Sequence, residues 1–235
     1  KQVANSTFFN RLGQRIIHIL NSFTSAGILY DIDVRLRPAG GKGVLVSSIE
    51  AFETYQQDKA WTFEHQALVR ARFVAGDRHI GERFEKIRRT VLETRREPHQ
   101  LRTDIIEMRQ RMRSLERRQD HESQDDNSLP FDLKHALGAI VDIEFMVQYA
   151  VLAWSHKYPD LCGFTDNYRL LGMLQEFNLL DKEDVDLLRD AYLAYRSAVH
   201  FQALGGQLFI SAYSQLAPYR EKVVIVWRKL MHNTG

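Results

Sequence analysis

Between Tyr30 and Pro38 the chain runs Tyr-Asp-Ile-Asp-Val-Arg-Leu-Arg-Pro, with two carboxylates and two guanidiniums at alternate positions. In an extended strand alternate side chains share a face. Asp31, Asp33, Arg35 and Arg37 would then lie on one side, and Tyr30, Ile32, Val34 and Leu36 on the other. A carboxylate that holds a divalent cation, followed on the same face by guanidiniums that clamp phosphate oxygens, is what nucleotide chemistry needs. The same pattern also suits a solvated sheet face with cross-strand ion pairs, and residue types alone leave both open. Lys42, in the turn Ala39-Gly40-Gly41-Lys42-Gly43, lacks the G-x-x-x-x-G-K-[ST] spacing and reads as solvent-exposed.

These residues need elements to position them. Phe8, Phe9, Leu12, Ile16, Ile17 and Leu20 recur at helical spacing, with Gly27 as a C-terminal stop before the charged strand. Pro38 ends that strand, and Val44-Leu45-Val46 predicts a second short one. Ser47-Ser48-Ile49-Glu50 places a capping serine three residues before a glutamate and opens a helix to about Gln57, Trp61 to Arg72 forms the next, and Asp77 caps a third with Ile80, Phe84, Ile87, Val91 and Leu92 on one face. The helical pattern breaks at Arg95-Arg96-Glu97-Pro98, which marks a domain boundary, and everything beyond it is helical. There Leu101, Ile105, Met108, Met112 and Leu115 make a packing seam, 119–130 is a polar loop, and Ala136 to about Tyr158 is a long buried helix. Helices beginning at Tyr168 and after a capping Asp181, and a last one with Val223, Val224, Trp227 and Leu230, complete the chain.

The run YDIDVRLRPAGGKGVLVSS, the block Ala60 to Arg72 (AWTFEHQALVRAR) and the block Gly138 to Phe145 (GAIVDIEF) follow one another in this order. Together they resemble the glutamine synthetase adenylyltransferases, whose motifs read approximately Y-[DE]-[VI]-D-x-R-L-R-P and G-G-[IV]-x-D-I-E-F. The resemblance implies an α+β, predominantly helical chain. Residues 1–97 would be the C-terminal part of a polymerase-beta-like nucleotidyltransferase domain, and residues 98–235 an all-α helical bundle. In such domains a G-S and a D-x-D motif supply two carboxylates and a later strand supplies a third, the position that Asp33 matches. The resemblance assigns Asp33 to catalysis and to the metal, and Arg35 and Arg37 to the triphosphate or to holding the carboxylates. Asp31 would shape the site or pair with an arginine.

No G-S followed by D-x-D precedes Asp33, so the first two carboxylates are expected outside this chain. The chain would then be inactive alone, an excised fragment of an intact parent enzyme, as its start without Met or a signal peptide also suggests. The implied reaction moves adenylyl from ATP, with Mg2+, onto a tyrosine of glutamine synthetase, and so regulates nitrogen assimilation. WTFEHQALVRAR and Thr165-Asp166-Asn167 look most like the C-terminal, adenylylating half of a bifunctional enzyme, the alternative being the deadenylylating half. The helical bundle would meet glutamine synthetase and the PII signalling protein. A non-catalytic helical interaction module is the competing reading.

Other residues are weighed on their own spacing. Arg70 and Arg72 are two apart on a helix, so at most one reaches a nucleotide. Glu144 lies on an apolar stripe with Leu137, Ile140, Val141 and Gln148, which predicts a buried carboxylate with a cationic or hydrogen-bonding partner, and Asp142 a similar but more exposed case. The nine histidines have no paired ligand spacing. The arginines between Arg83 and Arg118 are interleaved with acids, which predicts a solvated, ion-paired helix face. At 235 residues and a net charge of +2, the chain can bury a sizeable core and has no global charge that would call for nucleic acid or an anionic membrane. Its one cysteine, Cys162, fits a reducing, cytoplasmic compartment, and its most apolar stretch is too short and too polar to span a bilayer.

Overall fold

A computed structural model describes residues 3–25, 27, 32–34, 37–38, 40, 43–122, 132–205 and 210–232, with the side chains of 116–122 and 210–213 left aside. The chain is predominantly helical: α1 (Asn5–Leu20), α2 (Ile49–Asp58), α3 (Thr62–Arg70), α4 (Arg78–Leu92), α5 (Pro98–Glu122), α6 (Ile140–Trp154), a 3-10 turn (Pro159–Gly163), α7 (Asn167–Glu176), α8 (Lys182–Ala203) and α9 (Ile210–His232). It forms two compact units, one of Lys1–Leu68 with Arg72–Val91 and the other of Val69–Ala71 with Leu92–Gly235. No helix among the described residues is long and apolar enough to cross a membrane.

The β half of the expected α+β class is not found among the described residues. Ile32 to Val34 and Val44 to Val46 form no strand, and the one bridge joins Thr24 to Gly27. The physical reason is local. Arg37 donates from Nη1 to the carbonyl of Val34 and from Nε to that of Gly43 at 3.3 Å, while Gly40 N–H returns to Arg37 O at 2.8 Å. Tyr30, Asp31, Arg35 and Leu36 of the predicted strand lie outside the described residues; among the described ones Arg37 takes the carbonyls that a neighbouring strand would bond.

In the first unit, capping chemistry sets the helix starts. Ser48 accepts from Ala51 N–H at 3.2 Å to open α2, and Asp77 Oδ1 accepts from His79 and Ile80 N–H at 2.9 and 3.2 Å to open α4. α2 and α4 are joined by Arg83 bonding Glu50 and Glu53, and by Phe52 against Phe84 with ring centroids 5.7 Å apart. Tyr55 hydroxyl reaches Glu64 at 3.0 Å, and His65 Nε2 lies 3.0 Å from Gln56 O, which ties α3 to α2. Helix α1 ends at Asn21, short of the predicted glycine stop. Gly27 sits instead in the Thr24 bridge with φ +92°. No residue of α1 is buried.

The second unit is built around α6, twelve of whose 15 residues are buried, and it packs on α5, α7, α8 and α9. α6 starts at Ile140 and not at Ala136, because Gly138 takes φ +78°, which breaks the helical register before it. A side chain could not replace it, since a Cβ there would lie 2.3 Å from Arg220 O. Helix α5 begins with Pro98, where the sequence pattern breaks, and runs to Glu122, into the segment expected to be a polar loop. Arg96, just before it, is pushed down to about 10 by burial, still charged at neutral pH, and its Nη1 reaches the carbonyls of Leu92, Thr94 and Leu152.

Asp181 stands at the N-cap of α8 as predicted, but its side chain makes no cap bond. Lys229 of α9 takes it instead, together with Asp184 at 2.7 Å, because an ammonium offers a stronger bond than a neutral amide. Those bonds raise the Lys229 pKa above the ordinary lysine range. A base raised in the folded state contributes stability at lower pH, and the contribution fades as pH climbs past the unfolded value of about 10.4. Lys229→Met is therefore expected to lower the melting temperature modestly at pH 7, with the gap to the parent narrowing as melts are repeated at increasingly alkaline pH.

Candidate functional site

Of the expected catalytic face, Asp31, Arg35 and Lys42 lie outside the described residues. Asp33 is exposed, flanked by half-buried Ile32 and Val34, so the carboxylate is presented while its neighbours are drawn inward. Arg37 is half-buried and commits its Nε and Nη1 to main-chain carbonyls. In this structure it fixes the shape of the turn that follows Asp33. For Mg2+, a hard ion that takes carboxylate oxygens, Asp33 is chemically suitable. Among the described residues, however, no group of three His, Cys, Asp or Glu side chains is placed to hold a metal.

The second and third motif blocks meet. Arg70, at the end of α3, donates to Glu144 of α6, and Asn167 Nδ2 at the start of α7 reaches the same oxygen at 3.5 Å. The predicted cationic partner of Glu144 is thus Arg70, while Arg72 is exposed. Asn167 is 1% exposed, and its Oδ1 has no hydrogen-bond partner among the described residues. The Glu144 and Arg70 side chains keep 20% and 35% of their surface in water, so solvent screens the pair. Glu144→Gln should cost roughly 1 kcal/mol, because the shape survives and only the charge assistance is lost. Thermal melts of the two proteins measure it, and an unchanged melt combined with lost activity in the parent enzyme would make Glu144 a functional residue.

The order of exposure within this block is the reverse of the prediction. Asp142, expected to be the more exposed acid, is fully buried, and Glu144 is not. Asp142 Oδ1 accepts from Arg109 Nε at 2.7 Å and from Arg113 Nη2 at 2.6 Å, and its Oδ2 accepts from Arg113 Nη2 and Gly138 N–H, each at 2.7 Å. Arg109 Nη2 also donates to His135 O at 2.7 Å, and its guanidinium lies 5.9 Å from the Phe145 ring centre. A residue at position 142 can reach α5 because α6 starts only two residues earlier, where its first turn faces the loop that Gly138 bends.

The arginine-rich stretch is correspondingly not all solvated. Arg88 and Arg109 are buried, Arg88 donating to Leu68 O at 2.7 Å. Arg109 continues the buried line of Leu101 and Ile105 on α5, while Leu115, expected on the seam, is 60% exposed. Apolar periodicity could not have found this. The available signal was an acid in the apolar α6 run, which demands a cation from a neighbouring helix.

Residues 1–87 match the model of a family described as glutamate-ammonia ligase adenylyltransferase, and residues 106–206 match one described as GlnD PII-uridylyltransferase. The bifunctional glutamine synthetase adenylyltransferase/adenylyl-removing enzyme of Pseudomonas syringae pv. tomato is 50% identical over 235 residues, 98% of this chain and 24% of that enzyme. The enzymes of the same name from Pseudomonas putida and Thioalkalivibrio sulfidiphilus are 47% and 48% identical, each over 98% of this chain and covered to 24% and 23% of their own length. Over nearly its whole length the chain is a homologue of one segment of the glutamine synthetase adenylyltransferases. It spans about a quarter of the length of the curated relatives it matches.

Proposed function

We propose that this chain is a working segment of an enzyme that transfers adenylyl from ATP to a tyrosine of glutamine synthetase and so regulates nitrogen assimilation in the cytoplasm. The observation that carries the reading is half-identity, across 98% of the chain, with enzymes named for that transfer and its reversal. In the reaction the tyrosine oxygen forms a bond to the α-phosphorus, the bond from that phosphorus to the bridging oxygen of pyrophosphate breaks, and the hydroxyl proton leaves to solvent or a base. Asp33 would present one carboxylate to this site as a ligand for Mg2+, with Arg35 and Arg37 toward the triphosphate. Residues 1–97 would form the end of a nucleotidyltransferase domain, in the adenylylating half of the parent.

The helical part, residues 98–235, would bring protein partners to that domain: glutamine synthetase as substrate and the PII signalling protein as regulator. Its support is the match of residues 106–206 to a family whose description names PII uridylylation. Incubation with labelled ATP, magnesium and glutamine synthetase tests the reading. Label should pass to a glutamine synthetase tyrosine with the full-length enzyme that carries this segment, and little or none should pass with the 235-residue chain by itself. A full-length enzyme that leaves glutamine synthetase unlabelled would refute the reading. Robust transfer by the chain alone would mean that Asp31 and Asp33 suffice as a pair.

A further inference from the structure

α7 and α8 share an outer face on which two arginines are fixed in place without being used up. The Arg169 guanidinium lies 4.4 Å from the Phe164 ring centre, and that of Arg189 lies 4.3 Å from the Tyr168 ring centre. Each spends its Nε locally, Arg169 on Asp166 and Arg189 on Tyr168 O at 3.0 Å. The terminal nitrogens of both have no acceptor among the described residues, and Arg189 makes no ion pair there. Both line one cavity of about 430 Å³, with Phe164, Gly172, Met173 and Glu176 around them.

Gly172 is what seats Arg189. A Cβ at that position would lie 2.1 Å from Arg189 Nη2, so the guanidinium lies where a side chain would otherwise stand. Stacking and seating remove rotamer freedom before any ligand arrives, which lowers the entropy cost of recognition. Unspent guanidinium donors select oxyanions, and arginine beside aromatic rings is the composition of protein-contact hot spots. Glu176 on the rim opposes a dianionic phosphate more than a single carboxylate, and Met173 and Phe164 give an apolar wall for the rest of a chain.

We propose that this face of α7 and α8 docks an acidic segment of a partner protein, its carboxylates held by the terminal nitrogens of Arg169 and Arg189. The surface lies wholly within the second unit, and its existence does not depend on the adenylyl-transfer reading. The probe is a fluorescein-labelled hexaglutamate peptide added to the full chain at low ionic strength and followed by anisotropy. Saturable binding is expected, weakening as salt is raised. Arg189→Glu should abolish it, and the charge control Arg228→Glu, on the exposed side of α9, should leave it near the parent value.

Gly172→Ala is the sharper variant. It changes no charge and favours the helix, yet displaces the flexible end of Arg189, so affinity should fall about tenfold with the melting temperature kept or raised. Failure of the parent chain to bind would overturn the proposal, as would Arg189→Glu and Arg228→Glu weakening binding equally, or Gly172→Ala binding as tightly as the parent. Orthophosphate displacing the peptide at equal concentration would make this a small-anion site and overturn it as well.

Discussion

Asp33→Asn in the full-length enzyme should reduce adenylyl transfer roughly 100-fold or more while leaving the fold intact. The amide keeps the size and most of the shape of the carboxylate but loses the negative charge that a hard cation requires. Asp33 is exposed, so its charge carries little of the folding free energy, and the melting curve should stay within about 0.5 kcal/mol of the parent. Turnover measured with labelled ATP, beside a thermal melt of the same preparation, separates a chemical from a structural loss. Near-normal turnover in the folded variant would remove Asp33 from the site. Arg37 makes an informative companion. Because it closes the turn through Val34 O and Gly43 O, Arg37→Lys should disturb the placement of Asp33 even though the charge is kept.

The largest loss of stability is expected from Asp142→Ala, about 3–5 kcal/mol. The substitution leaves Arg109 fully buried with its charge uncompensated, and takes from Gly138 N–H its buried acceptor. Arg113 suffers less, since its side chain keeps 22% of its surface in water and can turn outward. Against the 5–15 kcal/mol that holds a typical domain together, such a loss leaves the second unit on the edge of unfolding. Denaturant titration reads it directly. The double variant Arg109→Met with Asp142→Leu is expected to recover much of the loss, because a desolvated ion pair stabilises little more than well-packed apolar side chains of like size. If the double variant were as unstable as the sum of its parts, the two residues would be acting independently, contrary to their 2.7 Å bond.

How much of this was legible beforehand differs by element. Helices whose signal is local are readable: Asp77 caps where its side chain predicts, Pro98 opens α5 at the break in pattern, and α2 starts at the predicted pair of serines, with Ser48 as the cap and not Ser47, the one three residues before Glu50. Glu144 announced a partner by standing on an apolar stripe, and the partner is Arg70. Alternation between Tyr30 and Pro38 predicted a strand, but alternation describes only which way side chains would point. A strand also needs a neighbour to bond, and here Arg37 satisfies main-chain carbonyls in its place. The exposures of Asp142 and Glu144 were misordered because the start of α6 depends on Gly138 and its close approach to Arg220 O, a contact 82 residues away in sequence. The cradle at Gly172 left no trace in periodicity. A lone glycine in a helix signals only that something comes near.

The burial of α6 on nearly every side also bears on how this protein can change over generations. A helix with one wet face has positions that drift freely, whereas α6 has its neighbours α5, α7, α8 and α9 around it and only a few residues, such as Glu144 and Trp154, that keep some contact with water. A library of random variants should therefore show a nearly continuous run of intolerance from Ile140 to Leu152, without the every-third-or-fourth-residue rhythm that outer helices such as α8 display. In such a helix each side chain constrains several others at once, so accepted changes should come as matched pairs across the core, with single replacements rare.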